Sequence, residues 1–474
     1  AGTSELATLI KSDYSAAFEQ HWRKLGKDWT EEAAVTFLNG KAPADAPARK
    51  AFLESNVGIG VDVFFGGGPY DFQQQADAGT LVAADTATGA GLKRIKEKHP
   101  ALFSESGIPE ALSGERFHDL EMRWSGTCLS SFGIVFNRDT LRRLGVENEP
   151  DEWADLADPK LLGYVALSDP TKSGSVTKAF EMIIQQEMHR AVAKVKASPG
   201  RLRTPQEIEA AGVKQGWIAG LQLIQKIAAN ARYFTDQSTK IPLEVAKGDA
   251  AAGMCIDFYG RSSEEAVRDE RGWSRVGFVA PTGGTAISVD PVGLFRGAAE
   301  PELAEAFMEY VLSEAGQKVW SFRRGMPGGP VKAALRRLPV RKDFYTDANR
   351  TFMSDANEEP WKKAEAFVYR PEWTAPAFNS IRFLIRVLCV DTHKELRTAW
   401  KALADAGMPQ RALEIFGQMT TVNYDVAVGD LSNTLRSRDK VREVREARRL
   451  TEAIRRQYEQ AQYNAEVSGR KGGQ

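Results

Sequence analysis

The sequence predicts an α/β fold with largely parallel sheets, and three strand-to-helix steps predict it. The first runs through "GIGVDVFFGGGPYDFQQQADAG", the second through "YVALSDPTKSGSVTKAFEMIIQQEMHRAV". The third is "VGFVAPTGGTAISVDPVGLFRGAAEPELAEAFMEYVLSEAGQ". In each, a short apolar or β-branched run meets a turn of Gly, Pro, Ser or Asp, and a helical period follows. Strands alternating with helices mark the α/β class.

In chain order, "SDYSAAFEQHWRKLGK" is a helix that Ser12 or Asp13 can cap, with Tyr14, Phe18 and Trp22 on one face. "AAVTFL" reads as a strand. Gly58 to Phe65 reads as a buried strand, after which Pro69 and Asp71 suit a helix entry. In the second step Phe180, Ile183, Ile184 and Met188 form the apolar stripe of a long helix. In the third, Leu303, Phe307, Tyr310 and Val311 share a side. From about Asp430 the chain has few large apolar residues and many Arg/Glu pairs, which predicts a solvated helix with a frayed end at "VSGRKGGQ".

The 474 residues predict more than one lobe. Lys+Arg and Asp+Glu both number 63, so no global charge recruits nucleic acid or an anionic membrane, and selectivity must be local. Cys128, Cys255 and Cys389 stand singly, with no CxxC pattern and no disulfide framework. Cys128 and Cys255 have small or apolar neighbours and read as buried thiols. No apolar stretch reaches the ~18 residues of a membrane span, and no charged start leads into an apolar signal core. No signal peptide is therefore expected in this chain, which does not begin with Met and reads as a mature or trimmed form.

Gly66-Gly67-Gly68 lacks the Lys and hydroxyl residue of a P-loop, since Pro69, Tyr70 and Asp71 follow. It also fails the dinucleotide fingerprint. What remains is a tight turn or a close approach of backbone to a ligand. Ser173, Gly174 and Ser175 sit where a helix begins, so they are either an N-cap or, with the helix dipole, an anion-holding start. The histidines 21, 99, 118, 189 and 393 form no metal-binding pair, and His118 and His189 read as surface residues. There is no GxSxG and no nucleophile beside a base. Asp169 and Asp257 follow strand-like runs and Asp62 interrupts one; each is a site carboxylate or a turn residue.

Five stretches in order, "GIGVDVFFGGGPYDFQQQADAGTL", "WSGTCLSSFGIVFN", "ADPKLLGYVALSDPTKSGS", "GDAAAGMCIDFYGR" and "DPVGLFRGAAEPELAEAFMEYVLSEAGQ", resemble the extracellular solute-binding proteins of bacterial ABC transporters. The branch is the one of ferric-iron, phosphonate and sugar-phosphate binders, and the resemblance runs from about Tyr14 to Asp347. It implies a type II periplasmic-binding-protein fold, two α/β lobes with an interlobe cleft and a hinge, followed by C-terminal helices. The expected division is residues 1–132 and 290–429 in one lobe, 133–289 in the other, and a charged helical tail over 430–474.

By the same resemblance, Gly67 and Gly68 match a ligand-facing loop of the first lobe, and Ser130 and Ser131 the segment at the crossing. Ser173, Gly174 and Ser175 match a second-lobe helix start, Ser238 and Thr239 a further polar loop, and Asp257 with Tyr259 a strand end facing the cleft. Ferric-iron members use two adjacent tyrosines, where this chain has Phe258 and Tyr259, which disfavours iron. Family members also begin with a short strand that "AGTSELATLIK" does not show, so the start is trimmed or the strand replaced. The implied function is capture of a small polar or anionic solute for a membrane permease, in the periplasm or outside the cell, by a monomer with no cofactor, no metal and no nucleic-acid partner. The alternatives are a solute sensor for a membrane receptor and an enzyme acting on a phosphorylated small molecule.

Overall fold

A computed structural model describes residues 3–172, 174–201, 204–437 and 439–472, with the side chains of 3–5, 7, 8, 174, 175, 471 and 472 outside that description. The strands are β1 Val63–Phe65, β2 Leu81–Val82, β3 Ala111–Leu112, β4 Glu115–Arg116, β5 Ser125–Ser130 and β6 Phe132–Asn137. There follow β7 Val165–Ser168, β8 Ala231–Thr235, β9 Ala252–Ile256, β10 Val276–Val279, β11 Ser288–Phe295 and β12 Leu338–Pro339. Two compact units result: residues 1–130 with 287–365, and residues 131–286 with 366–474. This is the two-unit α/β architecture, with the chain passing into the second unit between β5 and β6, returning between β10 and β11, and entering the second unit again after residue 365.

The first unit holds a sheet in the order β1-β11-β5-β12, with β2 on β11. Every pairing in it is antiparallel, contrary to the expectation of largely parallel sheets. The reason is β11: the returning chain supplies the long central strand and runs against all its neighbours. Around this sheet Tyr14, Phe18 and Trp22 are buried as the helical spacing predicts. Their helix is Thr3–Lys24, so Ser12 and Asp13 lie inside it and do not cap it. "AAVTFL" is not a strand, because Thr30 accepts from the Ala33 N–H and starts the helix Glu31–Thr36. Of Gly58 to Phe65 only Val63–Phe65 is strand, and Asp62 instead accepts from the Ala299 N–H (2.6 Å) just before the helix Pro301–Leu312. Two buried guanidinium groups close helix ends: Arg296 donates to the Leu53, Ser55 and Gly79 carbonyls, Arg49 to those of Phe37, Asp77 and Ala78. Burial pulls Arg296 down to about 10.

The helix Pro301–Leu312 turns a different face inward from the one expected. Ala304, Met308, Val311 and Leu312 are buried, while Leu303, Phe307 and Tyr310 are exposed. Buried Glu305 settles the choice: its carboxylate accepts from the Gly91 N–H and pairs with Arg94 and Lys98, a contact available only if that face turns in.

The second unit holds a mixed sheet in the order β10-β6-β9-β7-β8, in which β7 runs parallel to β8 and β9 while β6 opposes β9 and β10. The helix Gly174–Ala197 buries Phe180, Ile183, Ile184 and Met188 completely. Against it lies the helix Pro205–Ala229, opened by a Thr204/Glu207 capping box. Its glycines 212, 216 and 220 face Val192, Met188 and Ile184, and an added Cβ on Gly216 would fall 2.2 Å from the Met188 Cα. Residues 366–429, which the sequence places in the first lobe, belong instead to this unit. They wrap the helix Pro205–Ala229: Trp217 donates to the Val422 carbonyl and Trp400 to Asn230. The tail is not merely solvated either, since the helix Lys440–Gly472 buries Leu450, Ile454, Tyr458, Ala461 and Ala465. No described helix is long and apolar enough to cross a membrane.

Candidate functional site

In the second unit the polar residues gather at one sheet end. Strands β7, β8 and β9 run the same way, with Ser168 beside Thr235 and Val165 beside Ala252, so whatever follows each strand leaves from one edge. Residues 169–172 and the helix Gly174–Ala197 follow β7, residues 236–239 follow β8, and the helix Asp257–Ala266 follows β9. Because β6 opposes β9 with Phe132 beside Ile256, Ser131 enters at the same edge. The carboxyl ends of parallel strands are where open α/β sheets bind ligands. The residues Ser131, Gly174, Ser238, Thr239, Asp257 and Tyr259 thus converge, while Ser173 and the side chain of Ser175 lie outside the described residues.

The detail sorts these residues. Asp169 is a turn residue, its carboxylate accepting from the Thr171 N–H (2.8 Å) and hydroxyl (2.7 Å). The Pro170 carbonyl accepts from Thr177 (2.9 Å) and Arg382 (3.0 Å), which pins the loop. Thr239 is exposed, and its side chain makes no cap bond to the helix Lys240–Lys247, so its hydroxyl is open to other partners. Asp257 is buried and engaged: it accepts from the Phe258 N–H (2.9 Å) and pairs with Arg261 (2.8 Å), while its own N–H donates to the Ser131 carbonyl (3.0 Å). It positions the start of its helix and ties it to the crossing. Tyr259, half-buried, lies 4.2 Å ring to ring from Phe258. Burial, then the Asp257 carboxylate, pushes the Cys255 thiol up, so this sulfur is no nucleophile.

In the first unit the glycine turn follows β1. Gly66 and Gly67 have φ of 84° and 110°, values that exclude other residues at little strain. The Gly66 N–H donates to the Pro291 carbonyl (2.8 Å). Gly68 has an ordinary φ of −103° and is the N-cap of the helix Pro69–Ala78. A Cβ at Gly66 or Gly68 would meet nothing within 4 Å, so the turn's outer face is open. Next to Pro291, the Asp290 carboxylate accepts from Ser130 (3.4 Å) and pairs with Arg337. Arg337 lies 5.9 Å from the Trp320 ring, and Trp320 lies 6.0 Å from Phe65. The sequence pointed to Gly67, Gly68 and Ser130 but gave no sign of their neighbours Asp290, Arg337 and Trp320, which lie far from Ser130 in the chain and form no motif. Arg261 was legible in principle, four residues after Asp257 at helical spacing.

His118, expected at the surface, is buried, its Nδ1 3.1 Å from the Asp119 carbonyl. Among the described residues no three His, Cys, Asp or Glu side chains are grouped to hold a metal ion.

The phosphoglycerate transport regulatory protein PgtC of Salmonella typhimurium is 21% identical over 426 residues, 89% of this chain and 86% of that one. An uncharacterized protein of Haemophilus influenzae is 24% identical over 258 residues, 54% of this chain; the alignment spans only 60% of that relative's length. Among solved structures, the periplasmic binding protein AfuA of Actinobacillus pleuropneumoniae, with fructose-6-phosphate bound, is 19% identical with a TM-score of 0.40, covering 66% of this chain and 78% of that one. Ferric iron-binding protein A of Mannheimia haemolytica is 14% identical with a TM-score of 0.39, covering 73% and 87%. Residues 106–346 match the family described as bacterial extracellular solute-binding protein, a span that takes in the first two passages of the chain between the units and the residues Ser131, Gly174, Ser238, Thr239, Asp257 and Tyr259. The chain belongs to the bacterial extracellular solute-binding proteins, a family of binders rather than enzymes.

Proposed function

We propose that this protein is the solute-capturing component of an ABC import system and takes a small polar or anionic solute. The reading is carried by one observation, the convergence of Ser131, Ser238, Thr239 and the start of the helix Gly174–Ala197 at the carboxyl ends of β7, β8 and β9. A parallel-strand edge with a helix start and open hydroxyls suits an oxygen-rich or anionic ligand. The solute contacts are assigned to Gly67, Gly68, Ser130, Ser131, Ser173, Gly174, Ser175, Ser238, Thr239 and Tyr259, with Asp257 holding the crossing in place. The protein works outside the cytoplasm as a monomer, hands its solute to a membrane permease, and returns it chemically unchanged.

Native mass spectrometry of freshly purified protein tests this. A non-covalent adduct of small-molecule mass, lost on unfolding, is the expected result. Its absence, together with no calorimetric response to any polar or anionic solute, would refute the reading. A second reading, a sensor that reports solute to a membrane receptor, is favoured by the similarity to PgtC, named a transport regulatory protein, in an alignment covering 89% of this chain. Co-purification from detergent extracts separates the two: a permease with its ATPase supports import, a membrane kinase or receptor supports sensing.

A further inference from the structure

We infer that Arg382, on the C-terminal helix Phe378–Ile385, is the positioning residue of the solute loop in the second unit, holding residues 169–172 so that the helix Gly174–Ala197 begins in a fixed attitude toward the solute. The inference rests on the solute-binding reading and adds to it a residue outside the family-matched span 106–346.

The loop needs an outside partner because its own bonds engage its donors and leave its acceptors. Its root is tied to β8, where the Thr235 carbonyl accepts from the Ser168 hydroxyl (3.1 Å) and the Asp169 N–H (2.9 Å). Beyond the root, the Thr171 N–H goes to the Asp169 carboxylate (2.8 Å) and the Lys172 N–H to the Asp169 carbonyl (3.0 Å). Pro170 has no N–H to give. The Pro170 and Thr171 carbonyls remain, and their negative ends would oppose an anion at the helix start if they swung toward it. Arg382 takes both: Nε donates to the Pro170 carbonyl (3.0 Å) and Nη2 to the Thr171 carbonyl (3.3 Å). One rigid fork on two successive peptide units fixes their relative orientation, which a lysine head on a flexible stem does not. The Thr177 hydroxyl, in the first turn of the helix, closes on the same Pro170 carbonyl (2.9 Å), so loop and helix start are held as one piece.

The guanidinium is delivered from a rigid support. Ile381, Leu384 and Ile385 are fully buried in the core of the second unit, and Ser380 donates to the Ala427 carbonyl (2.7 Å). Arg382 itself is half-buried. Its task differs from that of Arg49 and Arg296, whose acceptors lie where helices end. The acceptors of Arg382 lie in the connection that precedes a helix start, so releasing them is felt at the assigned contacts that follow the loop.

Two measurements on the full chain test this. Hydrogen–deuterium exchange of the solute-free protein reads the loop, and titration calorimetry with inorganic phosphate and with sulfate, as probes for an anion at the helix start, reads the site. Arg382→Ala is expected to speed exchange across residues 170–178 by about tenfold while β7 and β8 stay unchanged, and to weaken binding of these anions by about 5- to 30-fold. Arg382→Lys should recover part of both effects. Arg386→Ala, which breaks only the exposed pair with Asp391, should produce neither. A merely structural arginine predicts another pattern: a lowered melting temperature, faster exchange throughout the unit, and anion affinity unchanged in the folded variant. That pattern, unchanged exchange in the loop, or no response of the wild-type protein to either anion overturns the inference. Should Arg382→Ala fail to fold, Thr177→Val frees the same Pro170 carbonyl from the other side and must loosen the same peptides. The solute-binding reading falls only if the mass-spectrometric adduct and every calorimetric response are absent, so solute that still binds beside an unchanged loop in Arg382→Ala overturns this inference alone.

Discussion

Gly68 separates two roles that a glycine run confounds. Gly66 and Gly67 are required by their positive φ, but Gly68 has an allowed φ and open space where a Cβ would go. Gly68→Ala is therefore expected to leave stability unchanged or raise it by up to ~1 kcal/mol, while weakening solute binding if solute packs on that face. Melting temperature and calorimetric affinity measured on one preparation decide it; unchanged affinity would leave the turn a purely conformational device. A second residue sets a pH response. Burial holds His118 neutral below the usual 6.5, and the nearby Lys96 reinforces this against Glu110, Asp119 and the Asp119 carbonyl. As pH falls, the unfolded chain takes the proton first, so stability drops in the window just below the ordinary value of 6.5. His189 and His393, lowered chiefly by burial too, act in the same direction. Urea denaturation at about pH 7.5 and about pH 5.5 should show the loss, with a smaller one in His118→Asn; an equal loss in that variant would assign the effect elsewhere.

At the scale of elements, the tightest constraint is the pair of helices Gly174–Ala197 and Pro205–Ala229. Glycines at every fourth position let the second helix approach the backbone of the first, and Gly216 has least room, its added Cβ meeting Met188 backbone at 2.2 Å. Gly216→Ala should cost ~1–3 kcal/mol in chemical denaturation although alanine is the better helix former. A gain in stability would mean that the helices simply move apart. The helix Lys440–Gly472 offers a matched pair of substitutions. The Tyr458 hydroxyl donates to the Leu388 carbonyl (2.8 Å) and accepts from Gln225 (3.0 Å), and its ring is fully buried. Tyr458→Phe should cost about 1–3 kcal/mol by leaving those polar groups unmatched, and Tyr458→Ala about 3–5 kcal/mol by opening a cavity. Similar values for the two would show that the ring contributes little.

For the whole molecule, the second unit is assembled from two separated stretches, 131–286 and 366–474, whose apolar residues form one cluster that includes Trp217, Leu384, Trp400 and Tyr458. A chain ending at Gly429 is thus expected to lose cooperative melting and to bind a hydrophobic dye, because the face of the preceding helices that meets Leu450, Ile454 and Tyr458 is uncovered. Cooperative melting at an unchanged temperature would return the tail to a surface ornament. Solute acts on the whole protein in the opposite sense: ligand at about 100 times its Kd should add about 2.7 kcal/mol to stability, visible as a raised Tm.

The local periods in the sequence by themselves determined the α/β class, the buried faces of the helices Thr3–Lys24 and Gly174–Ala197, the isolated cysteines and the strand-end position of Asp257. These follow from near neighbours in the chain, where spacing alone dictates which side chains share a face. Three matters were decided only by tertiary structure. Strand direction in the first sheet depends on where the returning β11 inserts, which no local pattern encodes. The inward face of the helix Pro301–Leu312 depends on Glu305 finding Arg94 and Lys98 more than 200 residues away, and that ion-paired carboxylate outweighs a stripe of Leu, Phe and Tyr. The array of Ser130, Asp290 and Arg337 joins β5, β11 and β12 through strand register, and register is a property of the assembled sheet, invisible until distant segments are hydrogen-bonded side by side.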